Sequence, residues 1–140
     1  MDIKIVENEQ MLQDAYSVRY TVFVDEQNVP EELEIDELES EAIHFVGYIG
    51  DKPVAASRMR FVEGYGKMER ICILHEYRGR NFGKELLIYM EKVAKEKGMD
   101  KSKLNGQTQA ESFYKKLGYE TVSGEFMDAG IPHVTMTKAL

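Results

Sequence analysis

The sequence predicts an α/β (α+β) fold: one domain over residues 1–140, with a central mixed, mostly antiparallel sheet of six to seven strands flanked by about four helices. Three observations carry the prediction. Residues 43 to 74 read as consecutive short strands separated by hairpin turns, residues 82 to 94 as one strongly amphipathic helix, and residues 100 to 107 as a polar segment between that helix and a second one. A chain that leaves a strand through a helix normally returns to a parallel neighbour, which makes the sheet mixed.

Residues 3 to 7, IKIVE, alternate as an opening strand. Asn8 is the expected cap of a helix starting at Glu9, in which Met11, Leu12, Ala15, Tyr16, Val22 and Phe23 share one face. The pattern degrades at Asp25, and Pro30 marks its end. From Asp25 to Glu41 there are nine acidic residues and no Lys or Arg. Two readings of this run stand: a solvated face, or an acidic rim that attracts a cationic substrate such as an amine.

Residues 43 to 49 and 54 to 62 form a hairpin around Gly50-Asp51-Lys52-Pro53. Gly64-Tyr65-Gly66 turns the chain into a further strand over 68 to 74. Phe82, Leu86, Leu87, Met90, Val93 and Ala94 define the long helix, which stops at Gly98 with Lys95 and Lys97 in its last turn. Residues 100 to 107 are assigned as a strand by position rather than composition. A short helix from Thr108 or Gln109 ends at Gly118, and residues 119 to 126 and 133 to 137 read as closing strands joined by a turn at 128 to 132.

With 43% hydrophobic and 31% charged residues, the 140-residue chain has the composition of a globular protein rather than a disordered one. Its single cysteine, Cys72, excludes an intrachain disulfide, and no Cys/His spacing suits zinc, so no metal is expected. The N-terminus lacks a leader's apolar run, and no stretch approaches the roughly 20 apolar residues of a membrane span. A net charge of -7 opposes binding to nucleic-acid phosphates. The expectation is a cytoplasmic protein, monomer or homodimer, with neither a nucleic-acid nor a membrane partner.

One stretch reverses the sign of the chain. Glu76 to Leu87, EYRGRNFGKELL, places Arg78, Arg80 and Lys84 around Gly79, Asn81 and Gly83 just where the long helix starts. A turn that aims amides inward at a helix N-terminus, with cations beside it, is an anion site; the plainer alternative is a solvated helix start. The spacing of its two glycines and the Glu after Lys84 exclude a nucleotide P-loop, and a dinucleotide fingerprint needs a third glycine.

This turn resembles the cofactor loop of the GNAT N-acetyltransferase superfamily: Arg78, Phe82 and Gly83 fit, and Ile71-Cys72-Ile73-Leu74 resembles the strand before it. Asn81 stands where the family usually has Gly, and Asn is the side chain that best tolerates a left-handed backbone. Residues 104 to 120, LNGQTQAESFYKKLGYE, are similar to the second family signature through Phe113, Tyr114, Leu117, Gly118 and Tyr119. Arg19, Phe23, Glu26 and Gln27 match the ElaA-like branch. The order of elements resembles the GNAT fold over nearly the whole chain.

The resemblance implies an acetyl-CoA-dependent N-acetyltransferase (an acyltransferase) that transfers directly to a primary amine of a small molecule. A protein N-acetyltransferase and an inactive CoA-binding sensor are the alternatives. By the same analogy, amides of Arg78, Gly79, Arg80, Asn81, Phe82, Gly83 and Lys84 hold the pyrophosphate of coenzyme A. Backbone groups of Ile71 and Ile73, either side of Cys72, pair with the pantetheine arm, while Asn105, Phe113 and Tyr114 touch the cofactor. Cys72 itself reads as a small buried side chain rather than a nucleophile. Tyr114 is the family's usual general acid, although an aromatic there is also explained by packing. Glu69 is the first candidate for the general base, with an ion pair as its plainer role; strict alternation puts it on one face with Ile71 and Ile73, and Arg70 and Cys72 on the other. His133 is the second candidate base, with an ordinary strand hydrogen bond as the alternative, and His44 and His75 are weaker ones.

Overall fold

A computed structural model describes all 140 residues. The chain runs β1 (Asp2–Ile5), α1 (Glu9–Arg19), α2 (Glu31–Glu34), β2 (Ile43–Ile49), β3 (Lys52–Val62), β4 (Tyr65–Ile73), α3 (Phe82–Glu96), β5 (Lys101–Gln107), α4 (Glu111–Lys116), β6 (Glu120–Thr121), β7 (Phe126–Asp128) and β8 (Ile131–Ala139). The strands form one sheet in the order β1-β2-β3-β4-β5-β8-β6, with β7 also on β8. Only β4 and β5 run parallel, as expected of a return through α3. There are eight strands rather than six or seven because the segment expected as one strand over 119 to 126 is split. The Val122 N–H still donates to the Thr135 carbonyl at 2.9 Å, but the Thr135 N–H goes to the hydroxyl of Ser123 at 2.8 Å, so beyond Val122 a side chain replaces the backbone ladder between β6 and β7.

The Asn8 side chain caps α1 as expected, accepting the Met11 N–H at 2.9 Å. Beyond Arg19 the helix does not stay α: Tyr20–Glu26 is a π-helix, closed by Gln27 N–H to the Val22 carbonyl at 3.1 Å. The wider turn keeps Val22 in the core while turning Phe23 and Gln27 toward the cavity described below.

The two faces of the sheet follow from register. Arg58 lies opposite Glu69, and Met59 opposite Met68, so charged and apolar pairs alternate across β3 and β4. The apolar face packs on α3 through Leu86, Leu87, Met90 and Ala94, and a Cβ on Gly66 would meet that of Ala94 at 3.0 Å. The other face lies under α1 and the acidic segment, and there the structure settles the acidic run. Arg19, fully buried, bonds Glu34 and Glu39 (2.8–2.9 Å), while Arg58, 2% exposed, bonds Asp36 (2.7 Å), Glu39 (2.9 Å) and Glu69 (3.0 Å). Neither sequence reading anticipates this: three of the nine acids are internal counter-ions, neither solvated nor a free rim.

A pH dependence follows. Bonding from Arg58 holds the Asp36 carboxyl at about 2 against a reference of 3.8. Burial of Glu69 is outweighed by Arg60, Arg58 and Lys67, which hold it at about 2 against 4.5. Folded values below unfolded ones stabilise fully above the unfolded pKa values, and that stability is lost as pH falls through the folded values. Each carboxylate contributes on the order of 2–3 kcal/mol at neutral pH. Urea midpoints are expected to decline modestly below about pH 6.5, where burial opposes protonation of His44, and to fall steeply between about pH 4.5 and 2; a flat response across that lower range would contradict the network.

Alternation along β4 is broken. Ala56 pairs with Cys72 and Arg58 with Glu69, so one residue of β3 faces two of β4, and Arg70 takes a left-handed φ of 57°. Since Ala56 and Arg58 are two apart, their partners Cys72 and Glu69 share the face beneath α1. Strict alternation, which separates Glu69 from Cys72, is therefore corrected by the bulge.

Candidate active site

The site is made where β4 and β5 part. Their parallel pairing covers only Gly66–Ser102, Lys67–Lys103 and Met68–Leu104, whereas β5 stays on β8 as far as Gln107. Residues 69 to 73 thus border a gap. The Leu74 N–H donates to the Val54 carbonyl at 2.9 Å, so the next pair, Ala55 and Ile73, is a non-hydrogen-bonded one, in which the peptide groups of Ile73 point away from β3 into the gap. The Ile73 carbonyl accepts there from Arg78 Nε at 2.9 Å.

At one end of the gap lies the basic turn. Gly79 (φ 79°) and Asn81 (φ 64°, ψ 15°) are both left-handed, so Asn81 adopts the backbone a glycine would. The first bond of α3 runs from Glu85 N–H to the Asn81 carbonyl at 3.0 Å, and no side chain caps the helix. The amides of Phe82, Gly83 and Lys84 precede that bond and are open to an anion. They border a cavity of about 350 Å³ walled by Ile73, Tyr77 and Phe113. Arg80 stacks over Tyr77, with its guanidinium 5.3 Å from the ring centre. The Arg78 side chain turns away and grips Glu26 with two bonds of 2.6 and 2.8 Å. Open amides, a helix N-terminus and cations fit a phosphate-bearing ligand. Asn81→Gly is expected to leave coenzyme A affinity unchanged, and Asn81→Ala to cost about 1 kcal/mol of stability through the left-handed backbone; thermal melts and CoA titration check both.

At the other end two cavities adjoin, of about 230 and 590 Å³, both bordered by Phe23, Lys67, Glu69, Arg70 and His133. Tyr114 and Asn105 line the smaller one. The Tyr114 ring lies against Phe113 (centroids 5.1 Å) and over Gly106, where a Cβ would stand 2.9 Å from a ring carbon. Its hydroxyl makes no hydrogen bond within the protein, and burial pushes it up to about 12. Asn105 Oδ1 accepts from the Thr135 hydroxyl at 2.8 Å.

Glu69 is poorly suited to be the base. It accepts from Arg58 (3.0 Å) and Arg60 (2.9 and 3.1 Å) and pairs with Lys67 at 3.1 Å, and these cations depress its basicity. His133 is better disposed. Its Nδ1 lies 2.6 Å from the Ile131 carbonyl, which can only accept, so Nδ1 carries the proton and Nε2 of the neutral ring is a proton acceptor. His44 is buried, with Nε2 bonded to the Glu39 carbonyl at 2.8 Å, and lines neither cavity. His75 is exposed in a short turn outside both. The Cys72 thiol is buried beneath α1 and pushed up to about 12 by that burial, so only its backbone borders the gap.

Gly106 and the cations Arg58, Arg60, Lys67 and Arg70 escaped the sequence reading as site residues. A signal was present: RMR at 58–60 and KME at 67–69 alternate charge about a methionine with period two.

A family model of the acetyltransferase (GNAT) domain matches residues 6–140. The chain belongs to the GNAT acetyltransferase family. YjcF of Bacillus subtilis (strain 168), an uncharacterized N-acetyltransferase, is 52% identical over 139 residues, covering 99% of each chain. ElaA of Escherichia coli (strain K12) is 27% identical over 128 residues, 86% of this chain and 82% of ElaA. The E. coli ElaA crystal structure superposes with a TM-score of 0.87 at 23% identity over 99% of both chains. An aminoglycoside 6'-N-acetyltransferase complexed with coenzyme A shares the fold, with a TM-score of 0.79 at 16% identity over 99% of this chain and 97% of that one. The protein is thus a GNAT N-acetyltransferase that is similar to ElaA in sequence and in fold. In this GNAT enzyme no helix is long and apolar enough to cross a membrane.

Proposed function

We propose that this GNAT enzyme transfers the acetyl group of acetyl-CoA directly to a primary amine of a small molecule. The observation that carries the reading is the Tyr114 hydroxyl, unbonded within the protein, in a cavity that His133 also lines. The amides of Phe82, Gly83 and Lys84 would hold the diphosphate, and the peptide edge at Ile73 would take the pantetheine arm as an added strand. When bound, acetyl-CoA supplies the activated acyl carbon and a thiolate leaving group.

The residues then divide the proton work. His133 Nε2 accepts a proton from the incoming ammonium, its tautomer set by the Ile131 carbonyl. Tyr114, raised to about 12, keeps its proton at neutral pH and holds it for the departing sulfur. Transfer is direct because Cys72 is buried and its thiol stays protonated. A cavity of about 590 Å³, partly roofed by residues 33 to 38, suits a small molecule better than a peptide.

Incubation with acetyl-CoA and a panel of primary amines is expected to release CoA thiol only with a productive amine, giving a product heavier by one acetyl group and sequential kinetics. Tight CoA binding with no release across the panel, or acetylated protein on Cys72, would refute the reading.

A further inference from the structure

The two cavities carry a pattern of satisfied and unsatisfied charge. Inside, the carboxylates are saturated: Glu69 accepts from Arg58, Arg60 and Lys67, and Asp36 takes two bonds from Arg58 and one from the Leu38 N–H. The cations are not. Lys67 Nζ has one partner, Glu69 at 3.1 Å, for its three protons. Arg70 makes only long contacts of 3.2–3.4 Å, to the Leu33 and Glu34 carbonyls and to the carboxylates of Glu34 and Asp36, and its Nη1 makes none. Both side chains are partly open, 21% and 26% exposed, and border both cavities. Three wall carboxylates have no ion pair and are exposed: Glu32 and Glu37 border the larger cavity alone, and Asp128 borders both.

We infer that the acceptor is an amine that also carries a carboxylate, an amino acid or a close analogue, whose carboxylate is held by Lys67 and Arg70. The inference rests on the amine-transfer reading and narrows its substrate class. Free donors on two cations in a partly desolvated cavity gain most from an anion, and the planar Arg fork matches two carboxylate oxygens. A simple diamine would leave those donors unpaired and set an ammonium against Arg70. The unpaired acids Glu32, Glu37 and Asp128 attract the ammonium end of a zwitterion, and Asp128 does so beside Tyr114 and His133, while the carboxylate rests on Lys67 and Arg70. Lys67 and Arg70 are thus specificity residues.

Binding is tested without CoA by thermal melting against amino acids, their methyl esters, the decarboxylated amines and the corresponding aminophosphonates. A carboxylate-bearing ligand at ten times its Kd is expected to raise Tm by about 3 °C, the ester and bare amine at the same concentration by about 1 °C or less. Arg70→Gln and Lys67→Gln, each folded by its own melt, should weaken the carboxylate ligand about tenfold and leave ester binding unchanged. Equal binding of acids and esters, equal weakening of both by the variants, or preference for phosphonates would overturn the inference. The same ligands in the thiol-release assay separate the two readings. Acetylation of amines regardless of a carboxylate sinks this inference and leaves amine transfer standing; carboxylate-selective binding without acetylation sinks amine transfer and leaves the recognition site.

Discussion

Tyr114→Phe is expected to lower kcat by about 10²–10⁴-fold, the range of a positioned general acid, while coenzyme A affinity changes by less than about twofold. Phenylalanine keeps the ring against Phe113 and over Gly106, so only the proton at the hydroxyl is removed. Steady-state kinetics with a productive amine and calorimetry with CoA read the two quantities separately. A loss confined to CoA affinity would make Tyr114 a contact residue and leave the leaving thiolate without a protein acid. Because burial pushes the hydroxyl up to about 12, kcat should show no decline from tyrosine ionisation below about pH 11. Gly106→Ala acts on the same proton indirectly, since its new methyl would meet the tyrosine ring at 2.9 Å and displace the hydroxyl without removing it.

Arg58→Leu is expected to destabilise the fold by about 3–5 kcal/mol, the cost of stripping a buried charge cluster of one partner. The arginine is 2% exposed and bonds Asp36, Glu39 and Glu69 at 2.7–3.0 Å. Without it three carboxylates converge across a low-dielectric space, and the acidic segment loses its tie to β3. Urea unfolding measures the change. The acid transition of the wild type should also shrink in the variant, because the depressed Asp36 carboxyl depends first on Arg58, whereas Glu69 keeps Arg60 and Lys67. A loss below about 1 kcal/mol would place the cluster among solvent-screened surface pairs.

The fold was legible wherever a periodic or conformational signal was local. Asn8 capping α1, the apolar stripe of α3 and the left-handed Asn81 each depend on residues within a turn or two, and each appears as read. β5 was harder, because KSKLNGQ has few apolar residues; its position between two helices carried the assignment. The site was legible as two motifs, and the structure brings Tyr114 near the gap that the basic turn closes. The choice of base was not legible. As letters Glu69 stands ahead of His133, yet Glu69 lies among three cations and His133 has its tautomer fixed by a carbonyl two residues away.

By itself the sequence determined the family and the order of elements and pointed to the turn at Arg78 to Lys84 as a candidate anion site, because these rest on backbone preference, hydrophobic period and short spacings. Only the tertiary structure decided what the acidic run from Asp25 to Glu41 does. Its partners Arg19, Arg58 and Arg70 come from α1, β3 and β4, and the Arg58–Asp36 bond alone spans 22 positions. Which side chain meets which charge turns on a register shift at Arg70, where one extra residue reverses the facing of everything beyond it. That shift buries Cys72 beneath α1 on the face of Glu69 and Lys67, and Arg70 at the bulge borders the same cavity as Lys67. A period-two pattern carries no mark of where it will slip, so the charges that select the acceptor belong to the folded chain.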